Sequence, residues 1–262
     1  MLKTLTPGPR KGADFLAHVD PLQLKVQGVS LVGVYLKNTT RAQIDAYHAA
    51  GVNVFLIHQR GYEGRGTDPV GAGTRHGLEA AQQAKALGYP KGLAIVFASM
   101  GDYDNTAANI KGSVAYFHAA AKGCIAGGYR PGAYGDADLF TAIGSTALSC
   151  QAAAKAWSWD WVKGKWKGPH PTAHLLQYPS RAVAVPRAPW YGVRVDPLDI
   201  LKQIVVWGPG PDAPPVKPVR VAKPILRRTI SRTRNEEVVL LQRHLSFLKL
   251  YGATIDGRFG PL

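Results

Sequence analysis

The sequence predicts an α/β fold, a (β/α)8 TIM-like barrel, and three observations predict it. Strand-like and helix-like segments alternate over residues 12–207, the pattern of a parallel sheet covered by helices. Eight candidate strands can be counted, the number that closes a barrel of this type. No G-x-G-x-x-G follows the first strand, which argues against an open, dinucleotide-binding sheet.

The first predicted strand is short, at 13–16. The second, at 31–36 (LVGVYL), is rich in β-branched and aromatic residues. Asn38, Thr39 and Thr40 offer N-caps for a helix over 41–50, which Gly51 ends. A third strand at 52–58 (VNVFLIH) leads into a Gly-rich loop over 60–73. A helix over 75–87 follows, with Leu78, Ala81, Ala84 and Leu87 at helical spacing. The fourth strand, 93–98 (LAIVFA), is an unbroken apolar run, as expected of a strand covered on both faces. Beyond it come a helix at 106–121, a strand at 132–134, a helix at 137–153, strands at 156–161, 174–178 and 193–195, and a helix starting at Pro197.

This divides the chain into an N-terminal arm (1–11), the barrel (12–207), a Pro-rich and basic linker (208–234) that reads as semi-rigid and extended, and a truncated helical C-terminal segment (235–262). The arm lacks the apolar stretch of a secretory signal. No run of about 18 apolar residues predicts a membrane span. Lys and Arg number 32 against 17 Asp and Glu, a formal charge of +15, which attracts polyanions. The basic residues are not interleaved with a DNA- or RNA-reading motif, so nucleic acid is not an expected partner. Cys124 and Cys150 are too few for a disulfide scaffold. They read as two small buried residues, with a single bridge as the alternative.

In such a barrel, chemistry sits where strands end. The polar residues predicted there are Asp14, Tyr35, His58, Gln59, Glu63, Asp102, Asp104, Tyr134, Asp136, Trp159, Gln177 and Asp196. Acids recur at most of these ends in a chain poor in acids. Glycosidic cleavage needs a proton donor at the leaving oxygen and a second carboxylate. Asp102 and Asp104 lie two apart, on one side of an extended backbone, although both also suit capping of the next helix. Asp196 before Pro197 reads equally as an N-cap. Asp14 is flanked by apolar Ala13, Phe15 and Leu16, where an acid needs a partner or a purpose. Trp157, Trp159, Trp161, Trp166 and Trp190 suit stacking on sugar faces, or packing at the barrel rim. His170 and His174 are four apart, but Pro169 and Pro171 argue against a helix. No metal or cofactor is expected.

Taken in order, GADF (12–15), LVGVYL (31–36), AGVNVFLIHQ (50–59), GLEAAQQAKALGYPKGLAIVFASMGDYD (77–104), YRPGAYGDAD (129–138), LLQYP (175–179) and VRVDPLDIL (193–201) resemble a known domain. It is the glycoside-hydrolase-like barrel domain of actinobacterial proteins and phage lysins, a relative of the family 25 lysozymes. The resemblance implies a catalytic acid at Asp14, another in the Asp102-Tyr103-Asp104 stretch, and a third in the Val-Asp pair at Asp196. The pattern departs in two places. Ser99-Met100-Gly101 separates the apolar strand from Asp102, and no Glu lies within 92–104. The tail, EEVVLLQRHLSFLKLYGATIDGRFGP (236–261), resembles the opening of the three-helix peptidoglycan-binding module.

Together these imply a peptidoglycan glycan hydrolase of the muramidase-like kind. Asp102 would be the general acid, with Asp14 or Asp196 as nucleophile or base. Tyr35, Gln59, Glu63, Asp104, Tyr134, Asp136, Trp159 and Gln177 would contact the glycan. A phage endolysin or virion-associated lysin fits, made in the host cytoplasm and acting at the cell wall, with peptidoglycan and other virion proteins as partners and no membrane insertion. The alternative is a non-catalytic wall-binding or structural phage tail module on the same barrel.

Overall fold

The computed structural model describes residues 1–14, 19–61, 66–98, 107–152, 169–177 and 196–210. The chain divides into two compact units, Met1–Val216 and Lys217–Leu262. The second unit, with it the tail resemblance, and most of the expected linker lie outside the described residues.

The described strands are β1 (Leu2–Leu5), β2 (Gly8–Asp14), β3 (Leu31–Tyr35), β4 (Asn53–His58), β5 (Ala94–Ala98), β6 (Arg130–Gly135), β7 (Ser149–Ala152), β8 (Leu175–Gln177), β9 (Asp196–Ile200) and β10 (Ile204–Trp207). They form one sheet in the order β1-β10-β4-β3-β2-β9-β8-β7-β6-β5, and a further β4–β5 pairing closes β2 through β9 into an eight-stranded barrel. The stretch set apart as an arm carries β1 and the start of β2, so the first barrel strand begins four residues before Gly12.

The period-two alternation of the strands divides their side chains between two cores. Leu31, Phe55, Ile57, Val96, Cys150, Leu175, Leu198 and Ile200 fill the barrel. Val32, Val34, Val54, Leu56, Ile95 and Phe97 face outward, against Ile44, Tyr47, Ala80, Ala84 and Tyr116 of the surrounding helices. Cys124 belongs to the outer core and Cys150 to the inner one. They are not bridged to each other, so the bridged alternative is excluded. Ile204 and Val206 of β10 join the inner core, so the β1–β10 ribbon plugs the N-terminal mouth of the barrel.

The helices are α1 (Pro21–Val26), α2 (Arg41–Ala49), α3 (Pro69–Ala86), α4 (Ala107–Ala126) and α5 (Ala137–Ile143). Thr40 caps α2, one of the N-caps the sequence offers, and Gln43 completes a capping box with it. The Gly-rich stretch before residue 75 is not all loop. Asp68 caps a helix that starts at Pro69, so α3 takes in Gly71 and Gly73. A Cβ at Gly73 would strike the Tyr116 carbonyl, and one at Gly77 would strike that of Ala120. These glycines let α3 and α4 approach closely; they do not mark a turn. None of the described helices is long and apolar enough to cross a membrane.

Two expected helices are corrected. The helix expected over 137–153 stops at Ile143, because Gly144 takes a left-handed φ of 74°. Residues 149–152 instead pair in parallel with β6 and β8 as β7. The helix expected from Pro197 is β9, antiparallel to both β2 and β8. Leu198 and Ile200 there are 0 % and 2 % exposed. Burying two such side chains is worth roughly 1.5–3 kcal/mol each, against about 1 kcal/mol for a helix cap. The interior therefore outweighs the Asp-Pro cap signal. The strands expected at 156–161 and 193–195 lie outside the described residues.

Candidate active site

The C-terminal ends of the parallel strands gather the described candidates at one mouth. Asp14 is the last residue of β2 and has the same alternation phase as Gly12, whose backbone packs on inward-facing Leu198. It is 2 % exposed. Gln177, the last residue of β8, donates from Nε2 to Asp14 Oδ2 at 2.7 Å. Strand β9 lies between β2 and β8, so this bond passes across β9 inside the barrel.

Asp196 opens β9, and its reversed direction carries that first residue to the mouth where the parallel strands end. Asp14 and Asp196 are direct Cα partners across the β2–β9 ladder. Directly opposed residues on an antiparallel pair have Cβ atoms about 4.5–5.5 Å apart. Two carboxylates from distant parts of the sequence thus meet in one place. Asp196 is half-buried, and both acids make further interactions within the chain. The alternative of Asp196 as a helix N-cap falls with the helix itself.

Tyr35 and Tyr134 end or nearly end β3 and β6, half-buried, and both pack on the inner core. Gln59 follows β4 and is half-buried. Asp136 is different: it is 4 % exposed, and its Oδ1 accepts from the Leu139 amide as the N-cap of α5. This carboxylate holds a helix start. Glu63, Asp102, Asp104 and Trp159 lie outside the described residues, as does the Ser99-Met100-Gly101 departure.

His58 ends β4 but faces outward. It is 2 % exposed, with its ring against Phe97 and His76. Neither ring nitrogen has a hydrogen-bond partner among the described residues, and Nε2 stands 3.7 Å from Glu79 Oε2. Burial, then the neighbouring His76 and Arg60, push its pKa down to about 3. Glu79 is paired with Arg60 and accepts from Gln83 Nε2 at 3.0 Å. His58 is a neutral imidazole behind the barrel wall, away from the mouth. His170 and His174 use Nδ1 locally, toward Thr172 and the Ser149 amide.

Sequence reasoning passed over Ala98 and Ala152. They end β5 and β7 in the inward phase and are buried. Their small side chains follow Val96 and Cys150 in the inward phase at the C-terminal ends of their strands. Alternation counted upward from the inner core is the signal that finds them.

A closed barrel with carboxylates at its C-terminal mouth has the general architecture of α/β-barrel enzymes. The chain belongs to the family of Rv2525c-like, glycoside hydrolase-like domains, whose model matches residues 23–189, more than half of the chain. Asp14 and Asp196 flank that match on either side. Among solved structures, the chain is similar to the Mycobacterium tuberculosis Tat-secreted protein Rv2525c, determined in complex with L-tartrate. The identity is 22 % and the TM-score 0.53, over 76 % of this chain and 95 % of that one. It is also similar to an uncharacterized B. stearothermophilus protein, at 21 % identity and a TM-score of 0.51, over 72 % of this chain and 94 % of that one. These two likenesses speak to the fold. Among curated proteins there is no significant match.

Proposed function

We propose that this barrel hydrolyses the glycan of bacterial peptidoglycan, as a muramidase-like enzyme that a phage releases or carries. The observation that supports it most is the pairing of Asp14 and Asp196 on neighbouring strands at one mouth, with Gln177 bonded to Asp14. A second carboxyl about 5–5.5 Å from the acid suits direct attack on the anomeric carbon, and a separation of roughly 6.5–9.5 Å leaves room for water. In this reading Asp102 gives a proton to the leaving oxygen, and Asp14 or Asp196 acts as nucleophile or base. Gln177 orients the Asp14 carboxylate by donating to it. Tyr35 and Tyr134 line the groove for the sugar rings, with Gln59, Glu63, Asp104 and Trp159 as further glycan contacts. The charge of +15 favours an anionic wall, and the tail resemblance to a peptidoglycan-binding module supports both the wall and the phage reading.

The test is loss of turbidity and release of reducing ends from purified sacculi. The wild type should give both, and Asp14→Asn or Asp102→Asn should give neither while still binding the wall. Full activity in both variants would sink the carboxylate mechanism. A second reading has its own observation. Asp14 is almost wholly buried and bonded to Gln177, which also describes a latch that holds β2 to β8. If the wild type binds sacculi without releasing reducing ends, and Asp14→Asn binds equally, the barrel is a non-catalytic wall-binding or tail module.

A further inference from the structure

At the opposite, N-terminal mouth lies a cavity of about 230 Å³. This is below the roughly 300 Å³ at which drug-sized ligand sites begin, so it suits a small group. Arg130, Thr146, His174 and Gln203 supply its polar side chains, and no carboxylate is among the described residues that line it. Arg130 opens β6 and is exposed, so its guanidinium stands at the solvent edge of the cavity. Among the described residues no acid pairs with its guanidinium.

His174 has a defined donor. Its Nδ1 accepts from the Ser149 amide at 3.1 Å, so the neutral ring carries its proton on Nε2. Burial first, then Lys202 and Arg130, hold the imidazole below its ordinary pKa. Two fixed positive charges therefore bear on this ring. Thr146 Oγ1 and Ser149 Oγ share a bond of 2.7 Å at the same edge. Lys202 stands beside the cavity and donates to the Pro171 carbonyl. The cavity is thus lined by groups that can donate, with a net positive field and no balancing anion among the described residues that line it.

We propose that this N-terminal cavity binds a phosphate group, either as the free ion or as the phosphoryl unit of a polyanion. Phosphate fits because it is small and tetrahedral and offers acceptors in several directions. The fork of Arg130 can take two of its oxygens, leaving others for His174 Nε2–H, Gln203 and Thr146. The site is independent of the carbohydrate reading of the other mouth, since none of its residues belongs to that mouth.

The experiment is calorimetric titration of the full chain with inorganic phosphate at constant ionic strength, alongside NMR of the His174 ring protons. The wild type should bind one phosphate saturably below about 10 mM, with the His174 resonance moving along the same curve. Arg130→Gln should weaken binding at least tenfold, and Lys202→Gln should weaken it less. Asp14→Asn, at the far mouth, should bind as the wild type does. Poly(glycerol phosphate) that displaces phosphate at this site identifies a polymer as the source; a polymer that fails to compete identifies the free ion. Absence of saturable binding, a stationary His174 resonance, or equal affinity in a natively folded Arg130→Gln overturns the proposal.

Discussion

At the C-terminal mouth, Asp14 and Asp196 oppose each other and Gln177 bonds the first of them inside the barrel. At the N-terminal mouth, Arg130, His174 and Lys202 gather beside a cavity, and the β1–β10 ribbon fills what is left of the opening. One feature of the chain serves both ends. Because β9 runs against its neighbours, its first residue joins the acids at the C-terminal mouth. The turn after its last residue then delivers Lys202 and Gln203 to the N-terminal mouth. With every strand parallel, Asp196 would instead start its strand at the basic mouth. Reversing a single strand thus segregates charge along the barrel axis without moving any other element.

The largest expected effect tests the acidic mouth. Asp14→Asn should lower glycan turnover by about 10²–10⁴, the usual range for a positioned acid or base, with binding to sacculi retained. Turnover within twofold of wild type would place Asp14 among the structural acids.

Acid separates the two ends by stability. The folded-state pKa of His58, pushed down to about 3, lies below its unfolded value near 6.5. The unfolded chain therefore binds the extra proton first. The stability from keeping this ring neutral is complete above about pH 6.5 and lost as pH falls toward 3. By pH 4 the loss is about 3 kcal/mol. His48 and His174 are lowered too, each chiefly by burial, and act in the same direction. Urea unfolding between pH 7 and 4 should show this slope. His58→Phe should flatten it more than His174→Gln does; an unchanged slope in His58→Phe would assign the loss elsewhere.

Gln177→Leu removes the amide that bonds Asp14, a hydrogen bond to a charged group worth about 1.5–3 kcal/mol. The midpoint of denaturation should fall accordingly. If the amide also orients a working carboxylate, turnover should fall further than the loss of folded protein explains. The smallest effect sharpens the contrast itself. Arg130→Gln, which should impair phosphate binding, should leave glycan turnover within about twofold, because the length of the strands and the packed inner core hold the two mouths apart. A parallel loss of both activities would mean that the mouths are coupled.

Much of this was legible beforehand. The strands at 31–36, 52–58, 93–98 and 174–178 follow from apolar runs and β-branched content, and the start of α2 follows from Thr40. Asp14 stood out because an acid among apolar neighbours needs a reason to be there. Other features misled. Glycines in α3 resemble loop residues in a linear pattern, since nothing local reveals that α4 lies against them. Asp196-Pro197 has the form of a helix cap, yet Leu198 and Ile200 alternate as a strand does. Asp136 has the residue type and position of a glycan contact, and the structure adds that its Oδ1 caps α5.

What the sequence alone determined is the short-range structure: caps, alternation, and the placing of Asp14, Tyr35, Tyr134 and Gln177 at or near strand ends. Those depend on side-chain chemistry within a few residues. The tertiary structure decided the direction of β9, the meeting of Asp14 with Gln177 and Asp196, and the gathering of Arg130, His174 and Lys202 at the other mouth. These contacts join residues far apart along the chain, and their energy comes from barrel closure and burial of the interior, which no local segment carries by itself.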